Sequence, residues 1–245
     1  MAEVIVIKIG GRASQQLTPA FLEQVQAWHA ANKQLVLVHG GGFAITEALQ
    51  QAGVNSKKVD GQRVTEKEQL PLIESALLDK VGVSIKKTLR QAGLPVIQLG
   101  SDLEQVVAAS FLDQERYGYV GKVDKIERAW LDHLLDLGNI PLLASLGYSA
   151  NGQLLNINAD YLATAVAVAL QAEELILMTD VPGVLLDGQV VAKLTSQDLD
   201  HLKTSGQITG GMIPKLESAC QTAAAGVGQV RISDQLTGGT IIQKG

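Results

Sequence analysis

Two short glycine runs, each at the end of an apolar run rich in β-branched residues, are the most informative pattern in this chain. The first is Gly10-Gly11, with Lys8 just before it, and the second is Gly40-Gly41-Gly42, followed at once by a helical pattern. Glycine lets backbone N–H groups approach a ligand closely, and N–H groups clustered at the start of a helix favour a phosphate or another oxyanion. Lys8 lies inside an apolar strand, so its ammonium needs an anionic partner unless it reaches solvent. The pattern predicts a site that transfers a phosphoryl group.

A further glycine pair, Gly210-Gly211, precedes another helical pattern and places Lys215 in its first turn. The amino-terminal end of a helix repels a cation, because the helix dipole is positive there. An anion bound at the same end would remove this conflict, and the alternative is a lysine that simply reaches solvent. Lys215 is therefore a second candidate for contacting an anion.

Two asparagines and a carboxylate, Asn156, Asn158 and Asp160, stand directly before a very apolar helical pattern. Asn158 is suited to cap that helix and Asp160 to occupy its first turn, which explains both residues by local structure alone. Asp160 could also pair with Lys8 and Lys215 and hold them in position. The two roles are compatible, so both remain open.

Two other segments offer binding groups with weaker signals. Arg63 belongs to a predicted hairpin, and its planar guanidinium suits a carboxylate, although an exposed arginine alone carries little information. The segment 179–184 follows a buried strand, and ligands of open α/β sheets bind at the carboxyl ends of strands. The alternative for this segment is an ordinary turn.

Several other kinds of site are excluded by the sequence. It contains neither the phosphate-binding G-x-x-x-x-G-K-[ST] loop nor the dinucleotide-binding G-x-G-x-x-G motif. The four histidines are scattered, and no histidine or cysteine cluster has the spacing of metal ligands. Cys220 lies on the apolar side of a helical pattern, which predicts a small buried residue rather than a nucleophile.

Strand patterns alternate with helical patterns along most of the chain, which predicts a largely parallel sheet with helices on both faces. Continuous apolar runs, as buried parallel strands require, occur at residues 4–9, 35–38, 95–99, 140–144, 175–178 and 230–232. Helical patterns occur at residues 17–31, 43–52, 66–91, 126–137, 159–170, 196–204 and 211–225. Hairpins are predicted at residues 57–65 (turning at Asp60-Gly61), 105–122, 145–155 and 185–192. If there are two lobes, the boundary falls near residues 172–174, with one sheet continuing through both.

The composition limits the class of protein. The net charge of −5 gives no electrostatic basis for binding nucleic acid or an anionic membrane surface. The longest apolar stretch is too short to span a bilayer, and a strand pattern begins too close to Met1 for a secretory signal. The single cysteine fits a reducing compartment. We therefore expect a soluble cytoplasmic protein.

Together these motifs resemble the amino acid kinase family, and the resemblance runs nearly from end to end. K-I-G-G, H-G-G-G, T-D-V-x-G and G-G-M-x-x-K are landmarks of the family. The segments G-Q-R-V-T, N-I-N-A-D and I-T-G-G-M-I-P-K are similar to those of members that phosphorylate the γ-carboxylate of N-acetyl-L-glutamate in arginine biosynthesis. The resemblance implies a three-layer α-β-α sandwich whose central, mainly parallel sheet is shared by two lobes.

The resemblance also implies roles for particular residues. The catalytic residues would be Lys8 and Lys215, which stabilise the phosphoryl group, and Asp160, which orients both lysines. Substrate and phosphoryl group would be bound by Gly10, Gly11, Gly41, Gly42, Arg63, Asn156 and Asn158, with Arg63 and Asn156 on the α-carboxylate. The nucleotide would contact Thr179, Asp180, Val181, Pro182, Gly183, Val184, Leu185, Gln207, Ile208, Thr209 and Gly211. ATP would be the phosphoryl donor, with Mg²⁺ carried on its phosphates and no metal held by the protein.

Further expectations concern the domains and the assembly. The resemblance places acetylglutamate binding and dimerisation in residues 1–173 and ATP binding in residues 174–245. The chain has no amino-terminal helical extension like the one that accompanies hexamers and arginine inhibition in part of the family, so a homodimer insensitive to arginine is expected. Gly210 stands where some relatives have an acidic residue, and no role is assigned to it.

Two alternatives remain. One is a kinase for a related acidic substrate, such as carrier-protein-bound aminoadipate, but a carrier would need a basic docking surface and this chain is acidic overall. The other is a non-catalytic protein of the same fold that binds nucleotides or oxyanions. The presence of Lys8, Asp160 and Lys215 together argues against it, because a binding protein does not need all three.

Overall fold

A computed structural model describes residues 3–59, 62–204 and 212–244 of the 245-residue chain. The strands, numbered in chain order, are β1 Val4–Ile9, β2 Gln34–His39, β3 Lys58–Val59, β4 Gln62–Arg63, β5 Val96–Gln98, β6 Val107–Phe111, β7 Val120–Ile126, β8 Ile140–Ala144, β9 Leu146–Tyr148, β10 Leu154–Ile157, β11 Glu174–Met178, β12 Leu185–Leu186, β13 Gln189–Val190, β14 Lys193–Leu194, β15 Gln229–Ser233 and β16 Thr240–Ile242. The α-helices are α1 Pro19–Ala30, α2 Gly42–Gln51, α3 Leu70–Ser75, α4 Val83–Gln91, α5 Leu103–Val106, α6 Gln114–Tyr117, α7 Arg128–Asp136, α8 Ala159–Leu170, α9 Ser196–Thr204 and α10 Met212–Ala224.

The centre of the fold is an eight-stranded sheet with the order β14-β16-β15-β11-β1-β2-β8-β5. Its neighbouring strands run parallel, except for the antiparallel pair β15–β16. Every residue of β8 and β11 is buried, and so are the last five residues of β1 and of β2. Because successive side chains point to opposite faces of a sheet, both faces are covered, which confirms the predicted layered α/β architecture.

The sheet draws four strands from each side of the predicted boundary near residues 172–174. β1, β2, β5 and β8 precede it, and β11, β14, β15 and β16 follow it. The six predicted apolar strands all lie in this sheet, and β14 and β16 at its edge were not predicted. The helix α8, which packs on β1, β2 and β11, connects the two halves across the sheet.

Four strands outside the main sheet form a small closed barrel with the order β10-β7-β6-β9. The predicted hairpins at residues 105–122 and 145–155 are its antiparallel pairs β6–β7 and β9–β10. Their closure into a barrel requires the parallel pairs β7–β10 and β6–β9, which join segments distant in sequence. Such non-local pairing leaves no signal in a single hairpin pattern.

Two of the predicted helices differ from the structure. The pattern at residues 126–137 begins too early, because Ile126 is the last residue of β7 and α7 starts at Arg128. The pattern at residues 66–91 is helical throughout from Lys67, but it is divided into a 3₁₀ turn, α3, a π-helical segment at Ala76–Gly82 and α4. A π segment changes the hydrogen-bond register without ending the helix, so the helical periodicity did not reveal it.

The hairpins at residues 57–65 and 185–192 are confirmed as the antiparallel pairs β3–β4 and β12–β13. Asp60-Gly61, the predicted turn of the first, lies outside the described residues. In the second, Asp187 and Gly188 both have positive φ, at 49° and 79°, as a tight two-residue hairpin turn requires. None of the helices in the described ranges combines the length and the apolar character needed to cross a bilayer.

Candidate active site

A cleft of about 560 Å³ opens at the carboxyl ends of β1 and β2. Both predicted glycine runs line it, together with Lys8, Arg63, Asn156, Asn158, Asp160 and Asp180. The structure thus brings together residues that lie up to 172 positions apart (8 to 180) in the chain. The cleft joins the main sheet, the β3–β4 hairpin and the barrel strand β10, so each of these elements contributes a polar group to the same space.

Lys8 is 8% exposed, and its ammonium is held by two protein groups. Nζ lies 2.8 Å from Asp160 Oδ1 and donates to the Met178 carbonyl oxygen at 2.9 Å. An ammonium is costly to bury unless it is compensated, and here Asp160 supplies an opposite charge while the Met178 carbonyl oxygen accepts a hydrogen bond. A Cβ on Gly10 would collide with Nζ and come within 2.9 Å of the same carbonyl oxygen. Gly10 therefore makes room for the lysine as well as lining the cleft.

Asp160 reaches Lys8 from the first turn of α8. Asn158 caps this helix, because its Oδ1 accepts a hydrogen bond from the Asp160 backbone N–H at 2.8 Å. A Cβ on Gly40 would lie 3.3 Å from Ala159 Cβ, so the start of α8 packs closely against the second glycine run. The capping role and the pairing role of this segment, both left open by the sequence, coexist in the structure.

The second glycine run starts α2 under tight packing. A Cβ on Gly41 would lie 2.8 Å from Leu77 Cδ2 and 3.0 Å from Val81 Cγ2, both in the π-helical segment. A Cβ on Gly42, in contrast, would meet no atom of the described residues within 4 Å. A side chain at Gly41 would therefore force Leu77 or Val81 to shift, whereas Gly42 leaves open space.

The first glycine run is fixed by Asp180, from the loop after β11. The backbone N–H of Arg12 donates to Asp180 Oδ1 at 2.9 Å. Gly11 has a φ of +55°, and a side chain there would collide with the Asp180 carboxylate. Arg12 and Asp180 also line a neighbouring cavity of about 680 Å³ beside α1, so their contact lies in the wall between the two cavities.

Arg63 projects from β4 into the cleft and is anchored by three groups of the protein. Its Nη2 donates to Thr46 Oγ1 at 2.8 Å and to the Gly42 carbonyl oxygen at 3.2 Å, and its Nη1 donates to Ser56 Oγ. Burial lowers the pKa of Arg63, but an arginine stays charged at any physiological pH. A fixed cation, partly removed from water, faces the space between β4 and α2.

Asn156 lies on β10 and faces the same cleft. Its Nδ2 donates to Oγ1 of the fully buried Thr65 at 3.1 Å. This bond ties the barrel to the segment that follows Arg63. The remaining N–H and the carbonyl oxygen of the Asn156 amide have capacity for a ligand.

Lys215 lies in the first turn of α10, as the sequence predicts. Its Nζ donates to Thr179 Oγ1 at 3.4 Å, near the limit of a hydrogen bond. In this structure Asp160 contacts Lys8, whereas Lys215 contacts Thr179. That Asp160 orients both lysines stays a prediction. Gln207, Ile208, Thr209 and Gly211 lie outside the described residues, as does Gly210.

In the predicted nucleotide segment, residues 179–184 form the loop between β11 and β12, and Leu185 is the first residue of β12. Thr179 N–H donates to the Ser233 carbonyl oxygen at 2.9 Å, and Val184 N–H donates to Oγ1 of the buried Thr240 at 2.8 Å. A Cβ on Gly183, whose φ is +153°, would lie 2.8 Å from the same Thr240 oxygen. Leu185 is 46% exposed. Hydrogen bonds to β15 and β16 therefore fix both ends of the loop. The side chain of Leu185, which follows the loop, is exposed to solvent.

Sequence reasoning missed several residues that build this site. Thr46, Ser56 and Thr65 hold the side chains that face the cleft, and the contact of Asp180 with the first glycine run was not predicted. Single hydroxyl residues in ordinary helices and loops carry no local signal. His39 in the H-G-G-G motif did carry a local signal, because a polar ring is unusual at the end of an apolar strand.

His39 is fully buried, and burial lowers its pKa to about 4. The unfolded chain binds a proton at this residue below a pH of about 6.5, while the folded protein remains neutral until about pH 4. We therefore expect His39 to reduce the free energy of unfolding by about 3 kcal/mol between pH 7 and pH 4. Urea denaturation of the wild type and of His39→Leu across this range measures the difference. Equal pH dependence in the two proteins would contradict the prediction.

Comparison with known proteins places this geometry among kinases. A sequence profile described as the amino acid kinase family matches residues 3–234. A protein of Streptococcus mutans named acetylglutamate kinase is 55% identical over 242 residues, which cover 99% of each chain. An acetylglutamate kinase of Streptococcus sanguinis is 51% identical over 245 residues and the whole of both chains. A crystal structure of a Streptococcus mutans protein, also 55% identical, superposes with a TM-score of 0.93 over 99% of each chain.

Proposed function

The chain belongs to the amino acid kinase family, and from this premise we propose that it transfers the γ-phosphoryl group of ATP to the γ-carboxylate of N-acetyl-L-glutamate. The product is N-acetyl-L-glutamyl 5-phosphate, an intermediate of arginine biosynthesis. The observation that carries the proposal is the ion pair of the buried Lys8 with the partly buried Asp160, between two glycine runs at the carboxyl ends of β1 and β2. The names of relatives that share half or more of the sequence support the choice of acceptor.

The acceptor needs no general base, because a carboxylate is already ionised at neutral pH. Catalysis then depends on aligning the two substrates and neutralising the charge on the phosphoryl group. Lys8 supplies a cation whose position is fixed by Asp160 and by the Met178 carbonyl oxygen. Gly10, Gly11, Gly41 and Gly42 line the space beside it and offer backbone N–H groups to the transferring oxygens.

Lys215 is proposed to approach the phosphoryl group from the nucleotide side. Its long bond to Thr179 leaves the ammonium free to rearrange when an anion arrives. Residues 179–185 are the proposed nucleotide-binding loop, together with Gln207, Ile208, Thr209 and Gly211. On this basis residues 1–173 bind the acceptor and residues 174–245 bind ATP.

Mg²⁺ is proposed to enter with ATP. Within the described ranges, no group of three or more histidine, cysteine, aspartate or glutamate side chains could hold a metal ion. The two carboxylates of the cleft are already in use, since Asp160 pairs with Lys8 and Asp180 accepts from Arg12. A cleft with these carboxylates suits a cation that is coordinated by water and phosphate oxygens rather than by protein side chains, as Mg²⁺ is when it binds with a nucleotide. Bound in this way, Mg²⁺ would neutralise phosphate charge.

Arg63 and Asn156 are proposed to bind the α-carboxylate of acetylglutamate, with Asn158 beside them. We expect Arg63→Lys to raise the KM for acetylglutamate about 10- to 100-fold, because lysine cannot reproduce a planar double contact. kcat and the KM for ATP should change little. Steady-state kinetics with each substrate varied in turn measures the effect. Arg116→Lys, on the short helix α6 outside the cleft, is the matched control.

A change in kcat larger than the change in KM for acetylglutamate would contradict this role of Arg63. Arg63 also donates to Gly42 and Thr46, so the variant must keep the thermal stability of the wild type within a few degrees for the comparison to hold.

One assay tests the proposed function. ADP release with ATP and Mg²⁺ is compared for N-acetyl-L-glutamate, glutamate, aspartate, carbamate and UMP as acceptors. Turnover with acetylglutamate well above the others is expected. Turnover with another acceptor but not with acetylglutamate would overturn the assignment, and turnover with none would favour a binding protein of the same fold.

Two further proposals concern the assembly and the location. We propose a homodimer that arginine does not inhibit, which sedimentation equilibrium and assays with added arginine test directly. A cytoplasmic location is proposed from the single cysteine, which suits a reducing compartment.

A further inference from the structure

His39, the last residue of β2, is a fully buried polar side chain with no role in the proposed chemistry. It lies between Ile9 of β1 and Ala144 of β8 in the centre of the sheet. Its Nδ1 lies 3.0 Å from the carbonyl oxygen of Gly40, and its Nε2 has no hydrogen-bond partner in the described part of the chain. A carbonyl oxygen can only accept, so Nδ1 carries the proton. A neutral ring with the proton on Nδ1 is the state that these contacts require.

The bond to Gly40 determines the orientation of the next N–H group. The peptide bond between Gly40 and Gly41 is trans, and in a planar trans peptide the C=O and the N–H point in opposite directions. With the Gly40 carbonyl directed at the His39 ring, the Gly41 N–H is directed away from it. Among the described residues, no group accepts a hydrogen bond from this N–H.

The other carbonyl groups of the glycine run are fixed as well. The Gly41 oxygen accepts from Ile45 N–H at 2.9 Å, as the first bond of α2. The Gly42 oxygen accepts from Thr46 Oγ1 at 2.7 Å and from Arg63. Each of the three carbonyl groups of the run therefore accepts a hydrogen bond. His39 holds the carbonyl group of the peptide between Gly40 and Gly41, and the N–H of that peptide belongs to Gly41. Gly41 lines the cleft, and because the described residues provide no acceptor for its N–H, a ligand in the cleft could accept from it.

We propose that His39 is a positioning residue, which holds the Gly40 carbonyl through Nδ1–H so that the Gly41 N–H faces the cleft and donates to the phosphoryl group during transfer. This inference rests on the proposed function for the identity of the ligand. A peptide that is fixed before the substrates bind needs no reorganisation during the reaction, and this is the property that makes backbone donors effective. A flexible glycine run without the histidine could rotate this peptide, because glycine tolerates many backbone conformations.

Three variants of His39 test the inference, because they differ in where the side chain places an N–H donor and in whether it has one. His39→Asn places an amide N–H near the position of Nδ1, His39→Gln places it one carbon farther out, and His39→Leu removes it. We expect His39→Leu and His39→Gln to lower kcat about 10- to 100-fold, less than the loss of a whole donor. His39→Asn should stay within about fivefold of the wild type, and the KM values should change little.

Thermal unfolding separates this role from a structural one. A buried leucine is better tolerated than a buried asparagine with unpaired polar atoms, so the melting temperature should be higher for His39→Leu than for His39→Asn. Activity in the opposite order supports the positioning role. Activity that follows stability, full activity of His39→Leu, or a change confined to KM would each overturn it.

Nuclear magnetic resonance gives two readouts that do not require turnover of acetylglutamate. Long-range ¹H–¹⁵N correlation on protein labelled at histidine shows which ring nitrogen carries the proton, and a proton on Nε2 would overturn the inference. Addition of Mg²⁺, ADP and fluoroaluminate, a mimic of the transferring phosphoryl group, should shift the Gly41 amide resonance in the wild type and in His39→Asn but not in His39→Leu. An unresponsive Gly41 amide in the wild type would overturn the inference, whereas an inactive wild type with a responsive amide would overturn only the proposed acceptor.

Discussion

Lys8→Met is expected to lower kcat by about 10²- to 10³-fold, with a smaller change in the KM of either substrate. This is the cost measured when one preorganised donor is removed from a site that stabilises developing negative charge. The effect falls on kcat because the ammonium interacts most strongly with the phosphoryl group in transit, when the group lies between donor and acceptor oxygens. Steady-state kinetics with both substrates near saturation measures the effect.

The structure explains why Lys8 should act mainly on the transition state. Its ammonium is held at 2.8 Å from Asp160 and 2.9 Å from the Met178 carbonyl oxygen before any ligand binds. A cation fixed in this way requires no reorganisation during the reaction. Lys8→Arg should recover little activity. Nζ of Lys8 lies so close to Gly10 that even a Cβ on that glycine would collide with it, and a guanidinium is larger than an ammonium.

Lys33→Met is the matched control for Lys8→Met. Lys33 immediately precedes β2 at the opposite end of the sheet and forms a partly exposed ion pair with Glu3. Its loss should leave kcat and both KM values within about twofold of the wild type, because a surface ion pair contributes little to stability. A Lys8→Met protein that folds and retains more than a tenth of the wild-type kcat would contradict the proposed mechanism.

The main sheet could be predicted because each of its central strands carries its own signal. A nearly continuous apolar run such as residues 4–9, rich in β-branched residues and interrupted only by Lys8, is typical of a strand buried on both faces, and the glycines after it end the strand. The barrel strands β6, β7, β9 and β10 carry weaker alternation, and their parallel closure joins distant segments. The sequence therefore indicated two hairpins but not the barrel that they form.

The site could be predicted where a residue conflicts with its local surroundings. Lys8 in an apolar strand and Asp160 in the first turn of an apolar helix each require a partner, and the structure pairs them. Lys215 conflicts with its helix dipole in the same way, but the sequence could not specify its distance from Asp160, which depends on how α10 packs. Thr46 and Ser56 conflict with nothing locally, so only the fold reveals that they hold Arg63.

Lys215→Met is expected to lower kcat by about 10²- to 10³-fold as well, but for a different structural reason. Lys215 is held only by a 3.4 Å contact to Thr179 Oγ1 in the described part of the chain, so its ammonium must move or tighten its contacts when ATP binds. Thr179→Val should therefore cost only a few-fold, because a bond of this length contributes little. Lys193→Met, an exposed lysine on the edge strand β14, is the control and should match the wild type.

The double variant Lys8→Met/Lys215→Met tests whether the two lysines serve the same group. Residues that act as a unit on one transition state show strongly non-additive losses, so the double variant should lose much less than the product of the two single effects. Losses that multiply would mean that the lysines stabilise separate charges, one on the acceptor side and one on the nucleotide side. A Lys215→Met protein within fivefold of the wild-type kcat would leave Lys8 as the sole cation on the phosphoryl group, and the proposal for Lys215 would then be wrong.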